Sequence, residues 1–268
     1  MIVQGLRDTE TGGLEEGDAG WRSVSVALAA GLQSSRDLTT FLYLSGRQPY
    51  SVRWDRLVGG DTIEALFRWY GLHEAHTESR MARAWSFVHR RDGGWLQWRC
   101  ARSTHAAGKL RARWKLYLNL HVESIPKALP SCLDLLESAG ADGFKVAGNL
   151  KELTRPDRFV AYFPSRESLQ TCASSLYRGH ECRAGSGRVP FSVAIPGVSV
   201  ASWGLDPPFP GTSWRYWLCR TLARLAASTN ASATPRERLA QLAAGLTAHG
   251  VDPETWAPSA ALTARWCA

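Results

Sequence analysis

An α+β fold, with N-terminal helices, a central mainly antiparallel sheet interleaved with strand-helix-strand units, and C-terminal helices, is predicted by three features of the 268-residue sequence. Apolar residues recur at helical spacing before residue 80. After it the period drops to two, with aromatic-rich segments around a turn. Short strand patterns then alternate with helical ones until helices close the chain. With 44% hydrophobic and 21% charged residues, the chain is long enough to fold on an apolar core without disulfide or metal staples. The expected organisation is an acidic leader over 1–20, a helical region over 21–80 and an α+β domain over 81–268.

Each element has a local reason. From Trp21 to about Leu44 the residues Val24, Val26, Leu28, Leu32, Leu38, Phe41 and Leu42 favour one or two helices, and Thr62 to Leu72 makes another. Trp85 to Cys100 reads as a hairpin, because the alternating segments WSFVHR and WLQWRC flank Asp92-Gly93-Gly94. A basic stretch with Lys109, Arg111 and Arg113 leads into a strand from Trp114 to His121. Its alternation sets Leu116, Leu118 and Leu120 on one face and Lys115, Tyr117, Asn119 and His121 on the other. Ser124 to Ala139 is a helix, with Pro126 in its first turn and Gly140 past its end. Strands at Gly143 to Ala147 and Arg158 to Phe163 follow, then a helix at Ser165 to Tyr177 and a strand-like VPFSVAI. Helices at Trp214 to Ala227 and, after Thr234 as N-cap, Pro235 to His249 complete the chain.

Composition narrows the function. There is no apolar run of about 18 residues, and the N-terminus lacks a basic segment followed by an apolar one, so a cytoplasmic protein without membrane insertion is expected. Six scattered cysteines with no CxxC pair read as free thiols. In the first 20 residues Arg7 stands against Asp8, Glu10, Glu15, Glu16 and Asp18, a net of −4, so +12 falls on the rest of a chain whose total is +8. A body that basic predicts an anionic partner, whether nucleic acid, a phosphorylated group or an acidic peptide.

Several motifs have plainer readings. Cys182, Gly185 and Arg188 match the CxxGxxR spacing of a cysteine-phosphatase loop, and Cys172 stands six residues before Arg178. Arg188 is followed by a strand pattern, however, and Cys172 falls inside a predicted helix, whereas the chemistry needs a thiolate at a helix N-terminus. His73 and His76 have no third ligand nearby, so no metal is expected. Neither G-x-x-x-x-G-K-[ST] nor G-x-G-x-x-G occurs, and no cofactor is predicted. Twelve tryptophans among many arginines could stack bases, but no nucleic-acid module is recognisable and tryptophan is more often core.

The polar face of the Trp114–His121 strand is the stronger lead. Lysine recurs on the short apolar strand at Phe144-Lys145-Val146, and Arg155, Asp157 and Arg158 lead into the next. One anionic substrate group would account for cations on three successive strands. At these residues the sequence resembles the phosphothreonine-lyase-like group, which includes type III secretion effectors of the HopA type and the lyase components of lanthipeptide synthetases. The blocks that carry the resemblance are WKLYLNLHVESIP, DGFKVAGN, LTRPDRFVAYFP, RVPFSVAIPGVSVAS and GTSWRYWLCRTLARLA, and it covers about residues 85 to 250.

The resemblance implies cofactor-free β-elimination of phosphate from phosphoserine or phosphothreonine of a precursor peptide, leaving dehydroalanine or dehydrobutyrine. A neutral lysine takes the α-proton, an acid protonates the leaving phosphate, and arginines hold its oxygens. The family's strand lysine falls on Lys115 and its second lysine on Lys145. One of the two is the base, and spacing does not choose between them. The effector lyases have histidine where this strand has Tyr117, so Tyr117 is the first candidate acid. His121 is the alternative, but at about 3.3 Å per residue it lies roughly 13 Å along the strand. Arg155, Arg158 and Arg215 are the phosphate-binding candidates, and Asp157 and Asn119 the orienting ones. Arg215 opens a helix whose N-terminus would itself favour an anion. No kinase signature is present, so a separate Ser/Thr kinase would supply the phosphate. The competing class is a catalytically silent scaffold that binds the peptide or the kinase.

Overall fold

The computed structural model describes residues 18–72, 75–88, 94–102, 113–178, 185, 187–230 and 232–267. The leader up to residue 17, the hairpin turn at Asp92-Gly93, His73, Lys109, Arg111 and Cys182 therefore lie outside the described residues. The chain divides into two compact units, Met1–Ser45 with Arg215–Ala268, and Gly46–Trp214.

In the first unit, α1 (Ala19–Ala29) begins where the Asp18 carboxylate accepts bonds from the amides of Gly20 and Trp21. Ser34 caps α2 (Ser35–Leu44) in the same way. In the second unit α3 (Val52–Val58), α4 (Ile63–Trp69) and α5 (Ala75–Ala84) precede the hairpin β1 (Trp85–Val88) and β2 (Trp95–Cys100). There follow β3 (Trp114–Leu118), a 3-10 turn at Val122–Ser124, α6 (Ile125–Ser138), β4 (Gly143–Ala147), α7 (Leu150–Leu153), β5 (Phe159–Phe163), α8 (Arg166–Arg178), β6 (Val193–Ile195) and β7 (Val198–Leu205). α9 (Trp214–Ser228) carries the chain back to the first unit. There α10 (Pro235–Ala248) opens on a capping box in which Thr234 and Glu237 exchange hydrogen bonds, and α11 (Ala260–Cys267) follows. The Trp21 and Trp256 rings meet at 5.0 Å, and the Trp21 indole donates to the Pro253 carbonyl at 2.8 Å.

The seven strands form one sheet in the order β1-β2-β4-β5-β3-β7-β6, with every pair antiparallel. This is the predicted α+β class, and most predicted elements lie within a residue or two of their expected bounds. Two differences matter. VPFSVAI is a strand only from Val193, because the chain turns at Pro190-Phe191, where Phe191 holds φ at 57°. The strand missing from the expectation is β7, which follows the Pro196-Gly197 turn and lies between β3 and the edge strand β6.

Alternation gives the sheet two unlike faces. On one, Trp98 and Phe144 stack at 4.9 Å, Phe144 meets Trp85 at 5.1 Å and Phe159 at 5.9 Å, and Leu116 and Phe163 are fully buried. Helix α8 packs against β3, β5 and β7, and its Arg166 lies over the Trp203 ring. Eight of the twelve tryptophans are buried, which is the core role expected of them. Cys172 is buried within α8, away from that helix's first turn. No helix among the described residues is long and apolar enough to cross a membrane.

Candidate active site

The opposite face collects the polar residues, and strand register decides which of them become neighbours. Across the sheet Ser202, Tyr117, Val160, Lys145 and Gln97 form one row. Gly204, Lys115, Tyr162, Gly143 and Arg99 form the next. Only β5 separates β3 from β4, so the Cα atoms of Tyr117 and Lys145 stand about 10 Å apart. A lysine side chain spans much of that distance.

The two lysines have different surroundings. Lys115 is 9% exposed along its side chain, and its Nζ sits 2.5 Å from Asp206 Oδ2 and 5.2 Å from the centre of the Tyr162 ring. Lys145 Nζ lies 3.9 Å from the centre of the Trp95 ring. Burial lowers the Lys145 pKa from 10.5 to about 7, helped by the charges of Lys115 and Arg155 and opposed by those of Asp157 and Asp206. At neutral pH a large share of Lys145 is thus the free amine.

Arg155 and Arg158 flank the same end of the face. Arg155 donates from Nε and Nη2 to the two oxygens of Asp157 at 2.8 and 3.0 Å, and its Nη1 pairs with Glu152 at 3.2 Å. Its guanidinium also lies 5.3 Å from the Trp95 ring, so Arg155 and Lys145 share one aromatic neighbour. Arg158, 1% exposed, donates to the Arg155 carbonyl, to Gln48 Oε1 and to Asn119 Oδ1 at 2.7, 3.1 and 3.1 Å. Burial pulls its pKa down to about 10. Asn119 in turn donates to the Gly187 carbonyl at 2.9 Å.

Tyr117 is 2% exposed and packs in an apolar cluster with Val160, Tyr162 and Val189. β3 ends at Leu118, so His121 lies beyond the strand as an exposed residue ahead of the 3-10 turn. Arg215 belongs to the first unit, where it donates to the Tyr43 carbonyl at 3.3 Å and lies over the Tyr43 ring. At the N-terminus of α9, read from the sequence as an anion site, the Asp206 carboxylate accepts from the Trp214 amide at 2.8 Å.

Reasoning from the sequence missed Asp206, Trp95 and Gln48. Asp206 stood in a Pro/Gly-rich loop, and the hairpin gave Trp95 no visible connection to β4. One usable signal was residue choice. Of 32 Lys and Arg residues only Lys109, Lys115, Lys127, Lys145 and Lys151 are lysine. Arginine does not release its proton near neutral pH, so lysine at two interior strand positions of an arginine-rich chain points to a need for an amine that can.

No protein-family model matches the chain, and no curated protein matches it. Solved structures do. The effector protein from Pseudomonas syringae pv. tomato strain DC3000 aligns over 90% of this chain and 96% of its own, with 14% identity and a TM-score of 0.54, which shows a shared fold. The effector protein from Pseudomonas syringae pv. syringae strain 61 aligns over 90% of this chain and 98% of its own, with 14% identity and a TM-score of 0.46. The Chromobacterium violaceum VirA (SpvC) phosphothreonine lyase effector aligns over 46% of this chain and 66% of its own, with 17% identity and a TM-score of 0.36. The fold of this chain is thus shared with an effector protein, one of the kinds of protein the sequence blocks resemble.

Proposed function

We propose that the protein is a lyase that removes phosphate from phosphoserine or phosphothreonine of a precursor peptide by β-elimination, leaving a dehydroamino acid in a ribosomally made peptide. The observation that carries this reading is a lysine with its pKa near 7, Lys145, on the same sheet face as the ion-paired Lys115. A general base works best when its pKa lies near the working pH.

In this reading the Lys145 amine takes the α-proton. The electron pair of the Cα–H bond forms the Cα=Cβ double bond as the Cβ–O bond breaks, and phosphate departs with both electrons of that bond. Lys115 and Arg155 face the phosphate charge, Lys115 as an ammonium and Arg155 through its planar donor fork. Asp157 fixes the orientation of that fork. Arg158 acts by positioning, since its donors hold Asn119, Gln48 and the Arg155 carbonyl. Tyr117 is the acid that gives its phenolic proton to the leaving oxygen, and its ring packs with Val160, Tyr162 and Val189. The phosphate itself comes from a separate kinase.

Purified protein and synthetic phosphopeptide test the proposal by mass spectrometry. Elimination removes the whole of phosphoric acid, and the product then adds a thiol. A product retaining its hydroxyl would identify a phosphatase. Tight binding with no change of mass would identify a scaffold.

A further inference from the structure

Two lysines on one face of one sheet leave open which of them keeps its proton, and the loop after β7 supplies a group that decides. We propose that Asp206 is a positioning residue that holds Lys115 in its ammonium form, beside the Lys145 that the elimination reading makes the base. The word base rests on the elimination reading; the assignment of protons does not.

The contacts are unequal. Asp206 Oδ2 lies 2.5 Å from Lys115 Nζ, whereas among the described residues no carboxylate is within ion-pair distance of Lys145, whose near neighbour is the Trp95 ring at 3.9 Å. The carboxylate is itself held at both ends. Its Oδ1 accepts from the Trp214 amide at 2.8 Å, the Asp206 amide donates to the Arg113 carbonyl at 2.8 Å, and Pro207 and Pro208 restrict the backbone that follows. The helix start thus fixes one oxygen and aims the other at Lys115.

Each lysine meets charged and titratable groups from several elements. Lys115 meets Asp206 from beyond β7 and Tyr162 from β5. Lys145 meets Lys115 from β3, Arg155 and Asp157 from the segment before β5, and Asp206. A cation at Lys115 opposes a second cation at Lys145, and burial opposes it further. The anion at Asp206 thereby acts on Lys145 through Lys115, and it also preserves one positive charge for an incoming phosphate.

Asp206→Asn separates the two tasks of this side chain. The amide oxygen still accepts from Trp214, while the negative charge is gone. Reductive methylation with ¹³C-formaldehyde labels all five lysines of the full chain, and Lys115→Arg and Lys145→Arg assign the two resonances of interest. In the wild-type protein Lys145 should titrate near pH 7 and Lys115 at higher pH. Asp206→Asn should lower the Lys115 midpoint by about tenfold in proton affinity or more, and Asp206→Glu should restore most of it. A Lys115 that titrates no later than Lys145 in the wild type, or does not respond to Asp206→Asn, overturns the inference. Should Asp206→Asn fail to fold, Lys115→Met serves instead, since removing the ammonium must raise the Lys145 midpoint and an unmoved midpoint overturns the inference equally. These titrations need no turnover. A protein that shows them and leaves phosphopeptides intact loses the elimination reading and keeps this one.

Discussion

Lys115 and Leu116 are adjacent in β3, both buried and both on a strand paired with β5 and β7, yet they belong to regions held together by different physics. Below the sheet, Leu116 lies on the face that carries Trp98, Phe144 and Phe159, where each ring removes apolar area from water and no atom needs a particular partner. Above it, Lys115, Arg155 and Arg158 are buried only because Asp206, Asp157, Glu152, Asn119 and Gln48 answer them. The first face tolerates exchange of one apolar group for another of similar size. The second specifies individual atoms, and on it Lys145 meets the Trp95 ring. A fold that spends burial on a lysine and gives it an aromatic ring instead of a carboxylate has lowered its affinity for a proton.

The contrast is tested most severely by one substitution on each face of β4. Lys145→Met should reduce elimination by about 10²–10⁴-fold, the usual worth of a proton-transfer group, while phosphopeptide binding stays near wild type and no thermal stability is lost. Phe144→Ala, one residue earlier, should do the reverse and lower stability by about 3–5 kcal/mol, because Phe144 is fully buried among three other rings. Turnover measured with calorimetric unfolding on both variants decides the matter. If Lys145→Met unfolds the protein or retains its turnover, the two faces do not divide stability from chemistry as described.

That division also explains how much was legible in the sequence. Period-two alternation in WKLYL and GFKVA is enough to separate Leu116 from Lys115 and Phe144 from Lys145, so the strands and their apolar faces follow from local pattern. Which strands become neighbours does not. The order places β5 between β3 and β4 and sets β7 beside β3, and only that order brings Asp206 to Lys115 and Trp95 to Lys145. Sequence separations of 91 and 50 residues are bridged by register, which no motif encodes. Arg158 and Arg155 looked alike as sequence cations, and their difference lies in partners drawn from residues 48, 119, 152 and 157.

Tyr117 sharpens the comparison because it belongs to both descriptions. It lies on the charged face, yet its cluster with Val160, Tyr162 and Val189 is apolar. If the phenol protonates the leaving phosphate, Tyr117→Phe should slow elimination by about 10²-fold while the packing of the ring is retained. If it is only packing, the rate should hardly change. A single-turnover rate with a phosphopeptide separates these outcomes, and an unchanged rate would move the search for an acid elsewhere on the face.

The last test is a dependence of stability on pH, and the sign of the Lys145 contribution follows from its lowered pKa. Its pKa is lowered from 10.5 in the ordinary case to about 7 in the folded protein, so between these values the unfolded chain holds a proton that the folded chain has released. The Lys145 contribution to stability therefore rises with pH across this window, complete above about 10.5 and absent below about 7. Arg158, lowered to about 10, contributes with the same sign only near the top of the range, and the interval from about pH 7 to about pH 10 belongs to Lys145. Urea midpoints of wild type and Lys145→Met compared across that interval isolate the contribution, because every other titrating group is common to both. The wild type should gain stability relative to the variant as pH rises. Parallel curves would mean that Lys145 carries its proton folded as readily as unfolded, and a lysine of that kind would not be a base near neutral pH.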